Sequence, residues 1–289
     1  MPAGPCPTHR RTTRRCSRPV PPRRLLTRSP RPSRPHLQTD QFELHDRIER
    51  DHWWFVARRR ILAAAICARV PAGATLIDIG CGTGANIAAL GESYRCIGID
   101  AAESALSYAR DAYPNIQFIR ATGPDETSGL QADAFLLADV LEHIEDDSEF
   151  LSNWCRLLRP GGHLFITVPS SDVAWSPHDT NHGHHRRYTP ERLSAVWETL
   201  ETAEVTLMHF NSRLYPLVRA LRAYTVWRGH TVGEADTDLW VPPFPLNGVL
   251  ESIFAGERRS LVHAIELGGP SPYRRGVSLL AALRVGVPS

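Results

Sequence analysis

Residues 76–90, LIDIGCGTGANIAAL, constrain the fold more than any other stretch of the chain. An apolar run ends in Asp78, three glycines follow at alternate positions (Gly80, Gly82 and Gly84), and a helical pattern begins near Ala85. That order predicts a buried strand, a tight turn and a helix start. Glycine accepts positive φ and admits a ligand where a Cβ would block it. A helix N-terminus behind the turn presents unpaired N–H groups and the positive end of a dipole. A loop of this kind holds a nucleotide-like cofactor.

The spacing narrows which one. The dinucleotide pattern is G-x-G-x-x-G, whereas this turn reads G-x-G-x-G with an acid two positions before it. The chain contains no lysine, so it has no phosphate-binding G-x-x-x-x-G-K-[ST] loop. An acid at the strand end would repel a pyrophosphate and suit a cofactor with a positive amino group, such as S-adenosylmethionine (SAM). The segment resembles the first motif of class I SAM-dependent methyltransferases.

After residue 70, apolar runs of strand length alternate with helical stretches. The runs are ATLIDI (74–79), YRCIGID (94–100), IQFIR (116–120), ADAFLLAD (132–139) and GHLFITVP (162–169), with AEVTLMHF (203–210) and GVSLLAALRV (276–285) later. Helices are expected from about 85, at 102–112 and at 146–158. The alternation predicts a parallel sheet covered on both faces. The resulting expectation, matching the methyltransferase sheet, is an α/β fold with a doubly wound, mostly parallel, seven-stranded Rossmann-like sheet. An N-terminal helical cap (40–70) precedes the core (71–210). A helical insertion (211–272), with helices near 213–227 and 247–264, comes before the last strand and tail (273–289).

Residues 1–37 hold ten arginines, nine prolines and no acid. Such an arm cannot bury a core and is expected to be disordered, leaving 38–289 as the methyltransferase domain. Residues 38–289 carry a net charge of −8, which argues against a nucleic-acid partner. No apolar run reaches the ~18 residues of a membrane span. Peripheral membrane contact through LYPLVRALRAYTVW stays open behind a core-covering or dimer role, so monomer and homodimer are both expected forms. The arm lacks the apolar core of a secretory signal. The six cysteines (6, 16, 67, 81, 96 and 155) form no C-x-x-C pair and read as free thiols in a reducing cytoplasm.

Ligands of open α/β sheets bind beyond the carboxyl ends of the strands. Asp78 and Asp100 sit there. Asp100 can accept both ribose hydroxyls, with neighbouring Ala101 beside the cofactor, or can cap the helix that DAAES begins. Cys81 lies in the turn, where a small side chain packs. ADVLEHIEDD (138–147) resembles the fourth-strand motif of small-molecule methyltransferases. That resemblance implies that Ala138 and Asp139 border the methionine part of SAM and that Glu142 and His143 face the acceptor. His143 can take a hydroxyl proton or serve as a structural histidine. The acid that usually binds adenine after the third strand is missing, leaving Thr122, Asp125 or backbone.

Two flanking segments, DHWWFVARRR (51–60) and HDTNHGHHRRYTPERL (178–193), resemble a bacterial branch of the family. Trp54 can shield the sulfonium and Arg58 can pair with the methionine carboxylate, although the aromatics also suit a core-facing helix. The histidine-rich segment has metal-like spacing without a carboxylate cluster, so no metal is expected. It reads as a lid in which His182, Arg187 and Tyr188 meet the acceptor and His184 is an alternative base; TPER also reads as a helix cap. The implied activity is methyl transfer from SAM to a small-molecule or carrier-linked acceptor, with oxygen favoured over carbon or nitrogen. A non-catalytic SAM-fold module and an NAD-dependent oxidoreductase are the competing readings.

Overall fold

The computed structural model describes residues 1, 48–127, 129–229 and 240–286. Beyond Met1, the arginine-proline arm and the first residues of the expected cap lie outside the described residues. The chain divides into two units, Met1–Arg34 and Pro35–Ser289, and every element below belongs to the second.

Strands β1 (Thr75–Ile79), β2 (Arg95–Asp100), β3 (Gln117–Arg120), β4 (Ala132–Ala138), β5 (Leu158–Pro169), β6 (Thr202–Phe210) and β7 (Ser278–Val285) form one sheet ordered β3-β2-β1-β4-β5-β7-β6. β1 to β5 run parallel; β7 enters antiparallel between β5 and β6. The described helices are α1 (Trp53–Cys67), α2 (Ala85–Ala88), α3 (Glu103–Ala112), α4 (Asp147–Cys155), α5 (Pro177–Asn181), α6 (Pro190–Ala195), α7 (Tyr215–Arg228), α8 (Leu246–Ala255) and α9 (Arg258–Leu267). The single helix expected over 247–264 is two, α8 and α9. Between them sits Glu257, whose buried carboxylate accepts the Ser212 and Arg213 N–H groups at 2.7 Å each.

Strand periodicity divides the apolar residues between two layers. Leu76, Leu136, Phe165 and Leu280 join α1, α8 and α9 on one face. Ile77, Phe135, Ile166 and Leu279 join Trp154, Tyr188 and Leu193 on the other. α1 buries Ala57, Ile61, Leu62, Ala65 and Ile66, the three-and-four spacing of one helix face. Each of its large aliphatic side chains contributes about 1.5–3 kcal/mol.

The cap and the insertion meet although they are remote in sequence. Trp53 N–H donates to Asn247 Oδ1 (3.0 Å), Asn247 Nδ2 donates to the Asp51 carbonyl (2.8 Å), and Trp53 packs edge-on against Phe254. His52 caps α1: its Nδ1 accepts the Trp54 N–H at 3.2 Å, and burial lowers its pKa to about 4.

Candidate functional site

The parallel strands end on one edge at Ile79, Asp100, Ala138 and Pro169, and their order reverses between β1 and β4. Open α/β sheets bind ligands at such a reversal. Gly80, Gly82 and Gly84 have φ of 73°, 55° and 86°. A Cβ on Gly80 would lie 2.6 Å from Val140, and one on Gly84 2.8 Å from Phe118. Gly80 and Cys81 N–H donate to the Ile99 carbonyl, and Gly82 N–H donates to Asp100 Oδ2 at 2.9 Å. Asp100 Oδ1 takes the Ala102 N–H at 2.8 Å, so this carboxylate braces the turn and the entry to α3 together. Each of its oxygens retains a further lone pair for a hydroxyl. Cys81 is buried beside Gly98, and burial pushes its thiol far up, in keeping with a packing role.

Asp78 is fully buried within β1, and neither carboxylate oxygen has a partner among the described residues. Burial first, then the charges of Glu49 and Asp100, push its pKa well up; Arg58 opposes them. Glu49, a residue the sequence reading passed over, is also buried and accepts the Thr83 hydroxyl. A buried carboxylate without a partner is costly unless a cation or donors meet it. The turn therefore fits a ligand that brings positive charge, as the amino group and sulfonium of SAM do.

Arg58 is committed to Asp139. Its buried guanidinium donates to Asp139 Oδ2 and lies 4.4 Å from the Trp54 ring centroid. Asp139 holds a left-handed φ of 61°. Its N–H donates to the Thr167 carbonyl at 2.9 Å, and the Thr167 hydroxyl donates to Oδ1 at 3.1 Å. Ala138 precedes it half-buried, and Ala101 is exposed past β2. Thr122 gives its hydroxyl and N–H to Glu126, and Asp125 pairs with Arg156 at 2.9 Å. Glu126 is thus the acid beside Thr122, four residues downstream and outside the expected position.

Residues 170–188 lie along the ends of β4 and β5. Tyr188 N–H donates to the Pro169 carbonyl, Ser171 N–H to Tyr188, and His185 N–H to Glu142 at 2.7 Å. Glu142 is buried with Oε2 unpartnered among the described residues; burial and then Asp139 push its pKa up, opposed by Arg58 and Arg187. The His143 and His184 rings meet edge to face at 4.8 Å. Desolvation, then His184, lower the His143 pKa to about 4. His182 lies beside this pair, its ring 5.9 Å from His184.

Two expectations for acceptor-facing residues find other contacts. Arg187 donates to both oxygens of buried Asp179, at 2.9 and 3.0 Å, and to the Ser170 carbonyl. Tyr188 is wholly buried, and its hydroxyl donates to Asp147 Oδ2 at 2.7 Å. Tyr188 belongs to the core layer because its backbone pairs with the end of β5. Ligand atoms of Glu142, His143 and His184 lie within 4.8 Å of one another, a spacing a cation could share. Arg58 and Arg187 already face Glu142, however, and their positive charge weighs against one. No helix among the described residues is long and apolar enough to cross a membrane.

Residues 77–166 match the methyltransferase domain family. A trans-aconitate 2-methyltransferase of Azoarcus sp. is 32% identical over 120 residues, covering 40% of this chain and 47% of that protein. A ubiquinone biosynthesis O-methyltransferase of Caulobacter vibrioides is 37% identical over 112 residues, covering 35% and 43%. The chain thus spans about half the length of these curated relatives. A SAM-dependent methyltransferase structure from Archaeoglobus fulgidus superposes with TM-score 0.50 at 15% identity, over 78% of this chain and 94% of that one, a likeness of fold. The family match begins within β1 and ends within β5, taking in the cofactor edge from the glycine turn to the β4 motif, so residues 77–166 carry a methyltransferase domain.

Proposed function

We propose that this protein transfers the methyl group of SAM to a hydroxyl of a small-molecule or carrier-linked acceptor, acting through a domain that spans residues 38–289. The observation that carries the cofactor assignment is the unpartnered, fully buried Asp78 carboxylate at the glycine turn. A neutral or anionic ligand would leave that group uncompensated, whereas a cationic one relieves it. Asp78 faces the amino group, Asp100 receives the ribose hydroxyls, and Trp54 excludes water. Bound SAM supplies a methyl group already activated by its sulfonium. The protein's share is alignment, which can supply ~7–11 kcal/mol of the barrier.

Oxygen is the favoured nucleophile because His143 and His184 meet at the end of β4, where a proton acceptor is needed. A relative named as an O-methyltransferase supports the same choice. The free thiols of Cys67, Cys81, Cys96 and Cys155 suit a reducing cytoplasm.

Isothermal titration of the full chain with SAM, S-adenosylhomocysteine and NAD tests the reading. Micromolar binding of the first two and none of NAD is expected. Binding without turnover across a mass-spectrometric panel of hydroxylated acceptors would favour a binding module. NAD binding alone would overturn the cofactor assignment.

A further inference from the structure

Asp179 is bonded on both oxygens, and one of its partners is His184, whose ring meets His143 at the turn after β4. α5 opens with a capping box in which Ser176 N–H donates to Asp179 Oδ2 at 2.9 Å. Arg187 closes on both oxygens from the other side. His184 Nδ1 lies 3.0 Å from Asp179 Oδ1, and Asp179 is completely buried. Burial alone would raise the Asp179 pKa; the bonds from His184 and Arg187 hold it far below the usual carboxylate range.

A deprotonated carboxylate can only accept. Nδ1 of His184 therefore carries the hydrogen and donates it, since two acceptors would repel at that distance. The lone pair of the neutral ring is left on Nε2. From the structure we infer that His184 is the proton acceptor for the incoming hydroxyl and that Asp179 is its positioning residue, locked by Arg187. The inference rests on the methyl-transfer reading above. The groups around His184 are Glu142 and His143 from the turn after β4, their ligand atoms within 4.8 Å of its own, with His178 and Asp179 of α5, His182 at the end of α5, Arg187, and the Trp175 ring. Arg222 adds a positive charge near His178. Asp179 is the anion bonded to the ring, and it stabilises the imidazolium once formed. Among the described residues His143 has no such carboxylate bond, and burial lowers its pKa to about 4, which makes it a poor proton acceptor.

The step balances without a further reagent. The acceptor oxygen bonds to the methyl carbon, the carbon–sulfur bond breaks with its electron pair on sulfur, and the hydroxyl proton passes to Nε2. The products are the methyl ether, S-adenosylhomocysteine and a protonated His184.

The test uses full-length protein labelled with 15N-histidine and two saturating ligands, S-adenosylhomocysteine and sinefungin, whose primary ammonium replaces the methylsulfonium. In the S-adenosylhomocysteine complex, His184 is expected as the Nδ1–H tautomer. Asp179→Asn should mix the tautomers, while Asp179→Glu keeps the wild-type tautomer. Sinefungin places a cation where the methyl sits, so it should shift the His184 Nε2 resonance relative to the S-adenosylhomocysteine complex. That comparison uses wild-type protein and stands even if Asp179→Asn fails to fold. An Nε2–H tautomer, or a sinefungin shift that falls on His143 alone, would overturn the proposal. Stoichiometric loss of the His143 and His184 signals on adding Mn2+ would replace it with a metal site. Absence of any S-adenosylhomocysteine binding heat would instead count against the parent reading.

Discussion

The two halves of the cofactor edge treat their acids in opposite ways. At the ends of β1 and β2, Asp78 is buried with no partner among the described residues, Glu49 and Asp100 sit close, and Arg58 is the cation that opposes them. At the ends of β4 and β5, two buried aspartates are saturated, while Glu142 beside them keeps Oε2 unpartnered among the described residues. Asp179 holds Arg187, His184 and Ser176, while Asp147 holds Tyr188, Arg192 and Arg186. Carboxylates already bonded in the free protein, such as Asp179 and Asp147, can position chemistry in advance. A half with surplus negative charge is completed by what it binds, and its cost in the free protein is the affinity it offers a cation.

The largest effect that would break this contrast lies in the saturated half. Asp147→Ala leaves the buried Tyr188 hydroxyl without its acceptor and removes the anion between two arginines. Because those arginines are partly exposed, the expected loss is about 3 kcal/mol, read from the shift in urea midpoint at constant slope. A loss below about 1 kcal/mol would mean that the network is decoration. In the unsatisfied half the sign reverses. Asp78→Asn removes a buried acid that has no partner and is costly to ionise, so the ligand-free protein should gain about 1 kcal/mol while SAM affinity falls at least ~10-fold. A variant that lost stability, or that kept its SAM affinity, would show Asp78 to be an ordinary core acid.

That asymmetry was only half legible in the chain. The glycine turn, Asp78 and the strand runs are local: each depends on neighbours within a few residues and on a period of two. Their partners are not local. Glu49 reaches Thr83 across 34 residues, and Arg58 reaches Asp139 across 81. No spacing rule pairs them, because the pairing exists only once the cap has folded over the sheet. The sequence offers Arg58 a methionine carboxylate and gives no sign of Asp139. In the lid, the histidines drew the chemical reading, yet SPHD carried a capping-box signal with Asp179 as its acid. Tyr188 reads as a polar aromatic among arginines. Its burial follows from the bridge between Ser170 and Tyr188, a contact set by tertiary register. The insertion of β7 between β5 and β6 is likewise a matter of strand order, to which alternation is blind.

The smallest effect sharpens the contrast by asking how the cap that covers the unsatisfied half responds to acid. His52 caps α1 through a neutral Nδ1, and burial, opposed by a bond to the Trp240 backbone, lowers its pKa from 6.5 to about 4. Below pH 6.5 the unfolded chain binds a proton there that the folded chain refuses until about pH 4. The contribution of this group is therefore complete above 6.5 and falls as the pH drops toward 4. Asp78 and Glu142, whose folded pKa values are raised, work in the other direction, since acidification relieves their charge. The whole-protein curve mixes both trends, so the informative quantity is a difference. His52→Asn keeps a capping side chain and removes the titration. At pH 5.5 the wild type should have lost about 1 kcal/mol more than His52→Asn, relative to each protein at pH 7.5, when unfolding is followed in urea. Parallel pH curves for the two proteins would show that α1 detaches or admits water before the fold is lost. The cap would then be a separate, weaker unit than its packing against α8 implies.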